Sequence, residues 1–130
     1  MNTKIIMTSS ALFLAAIGIS LSFLPNELAS YLETEVTSVT VLCLQLLSTL
    51  YMGFGLVNWM AKGSIIGGIY NRPIVMGNLM HFGVGAVVLF KMTIRSEAPS
   101  TFIIVLTAVY GIFAMLFLYL FRNNPAKVAA

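Results

Sequence analysis

The chain has 130 residues, of which 59% are hydrophobic and 8% charged, with a formal net charge of +3. Soluble globular domains carry about 25% charged residues. A soluble fold of this size has more surface than 7 basic and 4 acidic side chains can cover, so the composition excludes a soluble enzyme, a disordered protein and a nucleic-acid binder. The basic residues are scattered rather than gathered in a patch, which leaves the lipid bilayer as the expected partner.

Residues 5–26, 36–61, 73–90 and 98–121 contain no Asp, Glu, Lys or Arg. About 20 apolar residues suffice to cross the hydrocarbon as a helix. The predicted fold is therefore all-α: an integral membrane protein with four transmembrane helices in an antiparallel bundle, one domain over 1–130. The spans are placed at about 5–24, 37–60, 73–92 and 101–121. Residues 1–22 have the charge and apolar stretch of a signal peptide, but the apolar block is long for one and is read as a retained span.

The first span carries Ala11, Ala15, Gly18 and Ser22 on one stripe, a small-xxx-small pattern that lets another helix approach closely. Pro25 ends it. In the loop 25–36, Leu28, Tyr31 and Leu32 share a helical face, which predicts a short helix lying at the interface.

The second span places Gln45, Ser48, Tyr51, Met52, Gly55, Asn58 and Trp59 within about 140° of arc at 100° per residue. Cys43, Leu46, Leu47, Leu50, Phe54 and Val57 lie opposite and are expected to face lipid. The polar face either bonds to a neighbouring helix or lines a cavity for water or a ligand. Cys43 is the single cysteine, so neither an intrachain disulfide nor a cysteine-based metal site can form.

The loop 61–73 is basic and glycine-rich, with Lys62 and Arg72 at its ends. It lacks the Gly-Lys-Ser/Thr ending of a nucleotide-binding loop. Lys62 and Arg72 are candidates for contact with a lipid headgroup or another anion, and a tight turn is the alternative.

Pro73 suits the first turn of the third span, where Gly77, Asn78, His81 and Gly85 fall within about 100° of arc. His81 is the single histidine, about 12 Å from Pro73 along a helix rising 1.5 Å per residue. Tyr51 lies at nearly the same depth on the second span. If the two polar faces meet, Gln45, Tyr51, Asn58, Asn78 and His81 converge as a ligand- or proton-binding group. A neutral His81 bonded to Tyr51 or Gln45 as a purely structural group is the other reading. One histidine cannot assemble a three- or four-ligand metal site, so no metal is expected.

Pro99-Ser100-Thr101 offers a hydroxyl N-cap for the fourth span. That span carries Phe102, Tyr110, Phe113, Phe117 and Phe121 at helical spacing, read as packing against glycine-rich neighbours. Tyr119 and Phe121 beside Arg122 fit an interfacial belt.

The lysine and arginine distribution favours both termini inside, with five basic residues on that side and Lys91 and Arg95 outside. The run Asn58-Trp59-Met60-Ala61, then Gly67-Gly68-Ile69-Tyr70-Asn71-Arg72-Pro73, Gly77-Asn78 and His81-Phe82, resembles small four-span bacterial membrane proteins of unknown function. The resemblance implies a bacterial inner membrane and no particular activity. The chain departs from small dimeric multidrug transporters, which need a glutamate in the first helix, and from quinone-linked disulfide enzymes, which need paired cysteines.

No carboxylate lies in any span, so catalysis is not expected. The leading expectation is a homo-oligomer that binds or passes a small solute or lipid through the polar faces of the second and third spans, with no cofactor. The alternatives are an accessory subunit docking on a larger membrane complex, and a haem- or quinone-binding protein.

Overall fold

A computed structural model describes residues 3–32, 34–64 and 71–123. The glycine-rich middle of the 61–73 loop falls outside them. The described residues are helical, with no strand among them: α1 (Thr3–Phe23), α2 (Pro25–Tyr31), α3 (Ser38–Ala61), α4 (Arg72–Arg95) and α5 (Thr101–Arg122). The four long helices are apolar enough to span a bilayer, and the chain is a multi-pass membrane protein. The expected spans agree with these bounds to within three residues.

Local chemistry sets the ends. Pro25 cannot continue α1 and instead opens α2 as its first residue. Thr37 caps α3, its hydroxyl oxygen accepting from the Thr40 backbone N–H at 3.1 Å. Pro73 sits in the first turn of α4. Ser100 caps α5 by accepting from the Ile103 N–H at 3.4 Å, as its hydroxyl and position predict.

The helices group into two compact units, Met1–Lys62 and Gly63–Ala130. In the first, α1 and α3 form an antiparallel hairpin. Gly18 faces Ser48 and Met52, while Gly55 faces Ala11 and Ala15. The approach is close enough that a Cβ on Gly55 would stand 3.2 Å from the Ala11 carbonyl oxygen and 3.3 Å from the Ala15 nitrogen. The small-residue stripe of the first span thus serves helix contact, where dispersion between backbones replaces the hydrophobic effect that lipid cannot supply. Around it Met7, Leu14, Ser10 and Ser48 are buried. The short α2 packs on α1 and α3 through Pro25 and Ala29, and Tyr31 is exposed. The face of α3 expected to meet lipid is outward: Cys43, Leu46, Leu50 and Val57 are exposed.

The second unit is an antiparallel hairpin of α4 and α5. Thr93 and Thr107 join them at one end with hydroxyls 3.2 Å apart, and Arg72 lies over the Phe121 ring at the other, 5.1 Å from its centre. Between these, Phe82 is fully buried. It stacks on Phe113 at 4.8 Å and on Phe117 at 5.7 Å between ring centres, and meets Tyr110 edge-on at 5.3 Å. The aromatic stripe of the fourth span is therefore packing, as its spacing predicts.

Candidate functional site

A polar side chain within the hydrocarbon needs a hydrogen-bond partner, because no water is there to supply one. Among the described residues, no buried side-chain nitrogen or oxygen lacks a partner. Within each unit the structure adds partners that the sequence does not name.

In the first unit Asn58 is fully buried and its Nδ2 donates to Ser10 Oγ at 3.1 Å. Ser10 in turn donates to the Met7 carbonyl of its own helix at 3.0 Å. The hydroxyl proton is thus spent within α1, and the oxygen faces α3 as an acceptor, for which an amide N–H is the matching donor. Ser48 donates to the Gln45 carbonyl at 2.6 Å. Gln45 itself is exposed and Tyr51 is half-buried. An apolar groove of about 420 Å³ runs along the α1/α3 seam past Ala15, Met52 and Gly53 to Trp59.

In the second unit Asn78 is fully buried, with Nδ2 donating to the Ile74 carbonyl one turn earlier at 2.9 Å. His81 is half-buried, and its Nε2 lies 3.2 Å from the Tyr110 hydroxyl. The two rings lie 5.6 Å apart between centres and are tilted by 42°. Gly85 makes this pairing feasible. It stands one turn beyond His81 on the same face of α4, and a Cβ there would fall 2.5 Å from Tyr110 Cε1 and 2.7 Å from Cδ1. Without that Cβ the Tyr110 ring lies directly on the α4 backbone, and its hydroxyl reaches back to the imidazole.

The sequence names Tyr51 or Gln45 as a structural partner of His81; inside its own unit His81 also meets the Tyr110 hydroxyl. Tyr110 is visible in the sequence as one member of an aromatic stripe, and it is the member that carries a hydroxyl. Ser10 is likewise missed because the small-residue stripe draws attention to Ala11, next to it. Of the five expected ligand-binding residues, Gln45, Tyr51 and Asn58 belong to the first unit and Asn78 and His81 to the second.

The two basic candidates both lie against aromatic rings. Lys62 Nζ stands 2.9 Å from the centre of the Trp59 ring, and Arg72 covers Phe121. A cation over an aromatic face keeps its charge at headgroup level while the ring reaches into the apolar layer. Among the described residues, no group of three His, Cys, Asp or Glu could hold a metal ion.

Comparison with known proteins finds no family model, no curated protein and no solved structure that matches this chain.

Proposed function

We propose that this is a non-enzymatic membrane protein that binds or passes a small solute or lipid within the bilayer, using the polar groups of α3 and α4, with His81 and Tyr110 at the centre. The supporting observation is the His81–Tyr110 pair, 3.2 Å apart. An imidazole well inside a span costs free energy that leucine would not, and such a residue marks a binding or conduction role by default. Tyr110 offsets part of that cost with one hydrogen bond. Tyr110 is buried, but the imidazole is only half-buried, so its open side is within reach of a bound molecule.

The protein is proposed to work as a homo-oligomer in a bacterial inner membrane with both termini in the cytoplasm. The supports are the open helix faces at Gly53, Gly83 and Gly111, the lysine and arginine distribution and the resemblance given above.

Purification in mild detergent followed by reconstitution tests the reading. A monodisperse homo-oligomer is expected, retaining a small molecule or lipid by native mass spectrometry, or raising vesicle permeability to protons or small neutral solutes above that of protein-free vesicles. His81→Ala and Tyr110→Phe are expected to reduce that retention or flux. Vesicles with no added permeability, together with retention that His81→Ala and Tyr110→Phe leave unchanged, overturn the proposal. Co-purification of one large membrane complex replaces it with an accessory role.

A further inference from the structure

The C-terminal end of α5 holds a second candidate, separate from His81. Met115, Leu118, Tyr119, Arg122 and Asn123 recur at intervals of three and four residues and so form one stripe of the helix. They line a groove of about 380 Å³. At 1.5 Å per residue it runs about 12 Å, from within the span to its end. Its chemistry changes along that length. Met115 and Leu118 make an exposed thioether and alkyl floor, and the phenol of Tyr119 follows. Arg122 and Asn123 stand at the mouth.

The mouth is equipped for an anion. Arg122 is exposed, and its guanidinium makes no ion pair or hydrogen bond with a described residue. It is not engaged in capping the helix, because Asn123 does that twice: its backbone N–H donates to the Tyr119 carbonyl at 3.0 Å and its Nδ2 donates to the same oxygen at 3.1 Å. One amide proton on Asn123 Nδ2 remains directed elsewhere. At the same end of the hairpin Arg72 sits over Phe121, adding a second cation.

We propose that this groove is a binding site for a glycerophospholipid with an anionic headgroup. One acyl chain lies on Met115 and Leu118, and the phosphate is held by the Arg122 guanidinium, the Asn123 amide and the Tyr119 hydroxyl. The guanidinium presents a planar fork of N–H donors that matches two phosphate oxygens at once. A zwitterionic headgroup would bring its ammonium close to Arg122 and Arg72 and lose the advantage of charge. The site shares no residue with the His81–Tyr110 pair, so either proposal can fail without the other.

Native mass spectrometry of the detergent-solubilised full chain, offered equal amounts of phosphatidylglycerol and phosphatidylcholine, tests the site. Each basic residue near an anionic lipid contributes about a five-fold preference. Retention of phosphatidylglycerol at least five-fold over phosphatidylcholine is expected. Arg122→Gln is expected to lower phosphatidylglycerol retention about five-fold and leave phosphatidylcholine unchanged. Leu118→Trp fills the floor while keeping every charge, and is expected to lower phosphatidylglycerol retention as well. Lys91→Gln, at the other end of the hairpin, is expected to change nothing. Equal retention of the two lipids by the unaltered protein overturns the proposal, as does full retention by either Arg122→Gln or Leu118→Trp. Displacement of the lipid by inorganic phosphate alone also overturns it, since the site would then serve a free anion. Circular dichroism and elution volume establish that each variant is folded. If Arg122→Gln fails that check, Leu118→Trp alone decides.

Discussion

Gly85→Ala is the most incisive single change in the second hairpin. The added methyl would lie 2.5 Å from Tyr110 Cε1 and 2.7 Å from Cδ1. Carbon atoms in contact normally sit about 3.5–4.0 Å apart, so the ring has to retreat by about 1 Å. That movement takes the hydroxyl from 3.2 Å to about 4 Å from His81 Nε2, beyond hydrogen-bonding range. Overpacking of this kind costs about 1–3 kcal/mol. Losing an interhelical hydrogen bond in lipid costs about 0.6–1.7 kcal/mol more. Alanine's better helix propensity returns at most about 1 kcal/mol. The balance is a net destabilisation of about 1–4 kcal/mol, measurable as a lower midpoint when the protein in mild detergent is titrated with dodecyl sulfate and followed by circular dichroism. Two further measurements isolate the cause. The ring nitrogen resonances of His81 should shift in Gly85→Ala as they do in Tyr110→Phe. In a Tyr110→Ala background the methyl meets no ring, so Gly85→Ala should be neutral or stabilising there, a coupling of at least about 1 kcal/mol. An unchanged midpoint with unchanged His81 resonances would refute the account of Gly85 as the seat of the Tyr110 ring.

Three further outcomes are expected. Asn58→Ala should destabilise the first hairpin by about 0.6–1.7 kcal/mol in the same titration, and Ser10→Ala should cost little more once Asn58 is gone, because the two share one bond. Gly53→Ala and Gly111→Ala place a methyl where no atom lies within 4 Å, so each should be neutral or stabilise by up to about 1 kcal/mol. A large loss at either glycine in the purified oligomer would place a second chain on that face. Thr93→Val should leave stability within about 1 kcal/mol of the parent, because the Thr107 hydroxyl retains the Ile103 carbonyl at 2.6 Å when its neighbour is lost.

The spans were legible because charge is excluded from hydrocarbon so strongly that 11 charged residues are enough to mark the ends. The Ala11, Ala15 and Gly18 stripe and the Ser100 cap were legible for a similar reason, each being a local rule with one physical cause. The contact between His81 and Tyr110 was not. A helical wheel groups residues of one helix, whereas the His81–Tyr110 bond depends on how far the Tyr110 ring can sink onto α4, and that depth is set by the missing side chain of Gly85. Ser10 was hidden by a related limit. On a wheel a hydroxyl beside alanine is a small residue, and only the position of its proton, given to Met7, turns it into an acceptor facing Asn58. The groove on α5 was partly visible as an interfacial belt of Tyr119, Phe121 and Arg122, but its floor of Met115 and Leu118 reads simply as lipid-facing sequence.

The bond between Asn58 and Ser10 also has a bearing on synthesis. Its two ends are 48 residues apart. At about 5–20 residues per second, Asn58 emerges roughly 2–10 s after Ser10. The acceptor is therefore already in place on α1 when α3 follows it into the bilayer. An asparagine entering lipid on a solitary helix would pay for its unpaired amide, whereas one that enters beside a finished neighbour can transfer from water to Ser10 in the same event. The hairpin is in this sense a unit of insertion as well as of packing, and the polar residue that is hardest to place in the membrane comes second, after its partner.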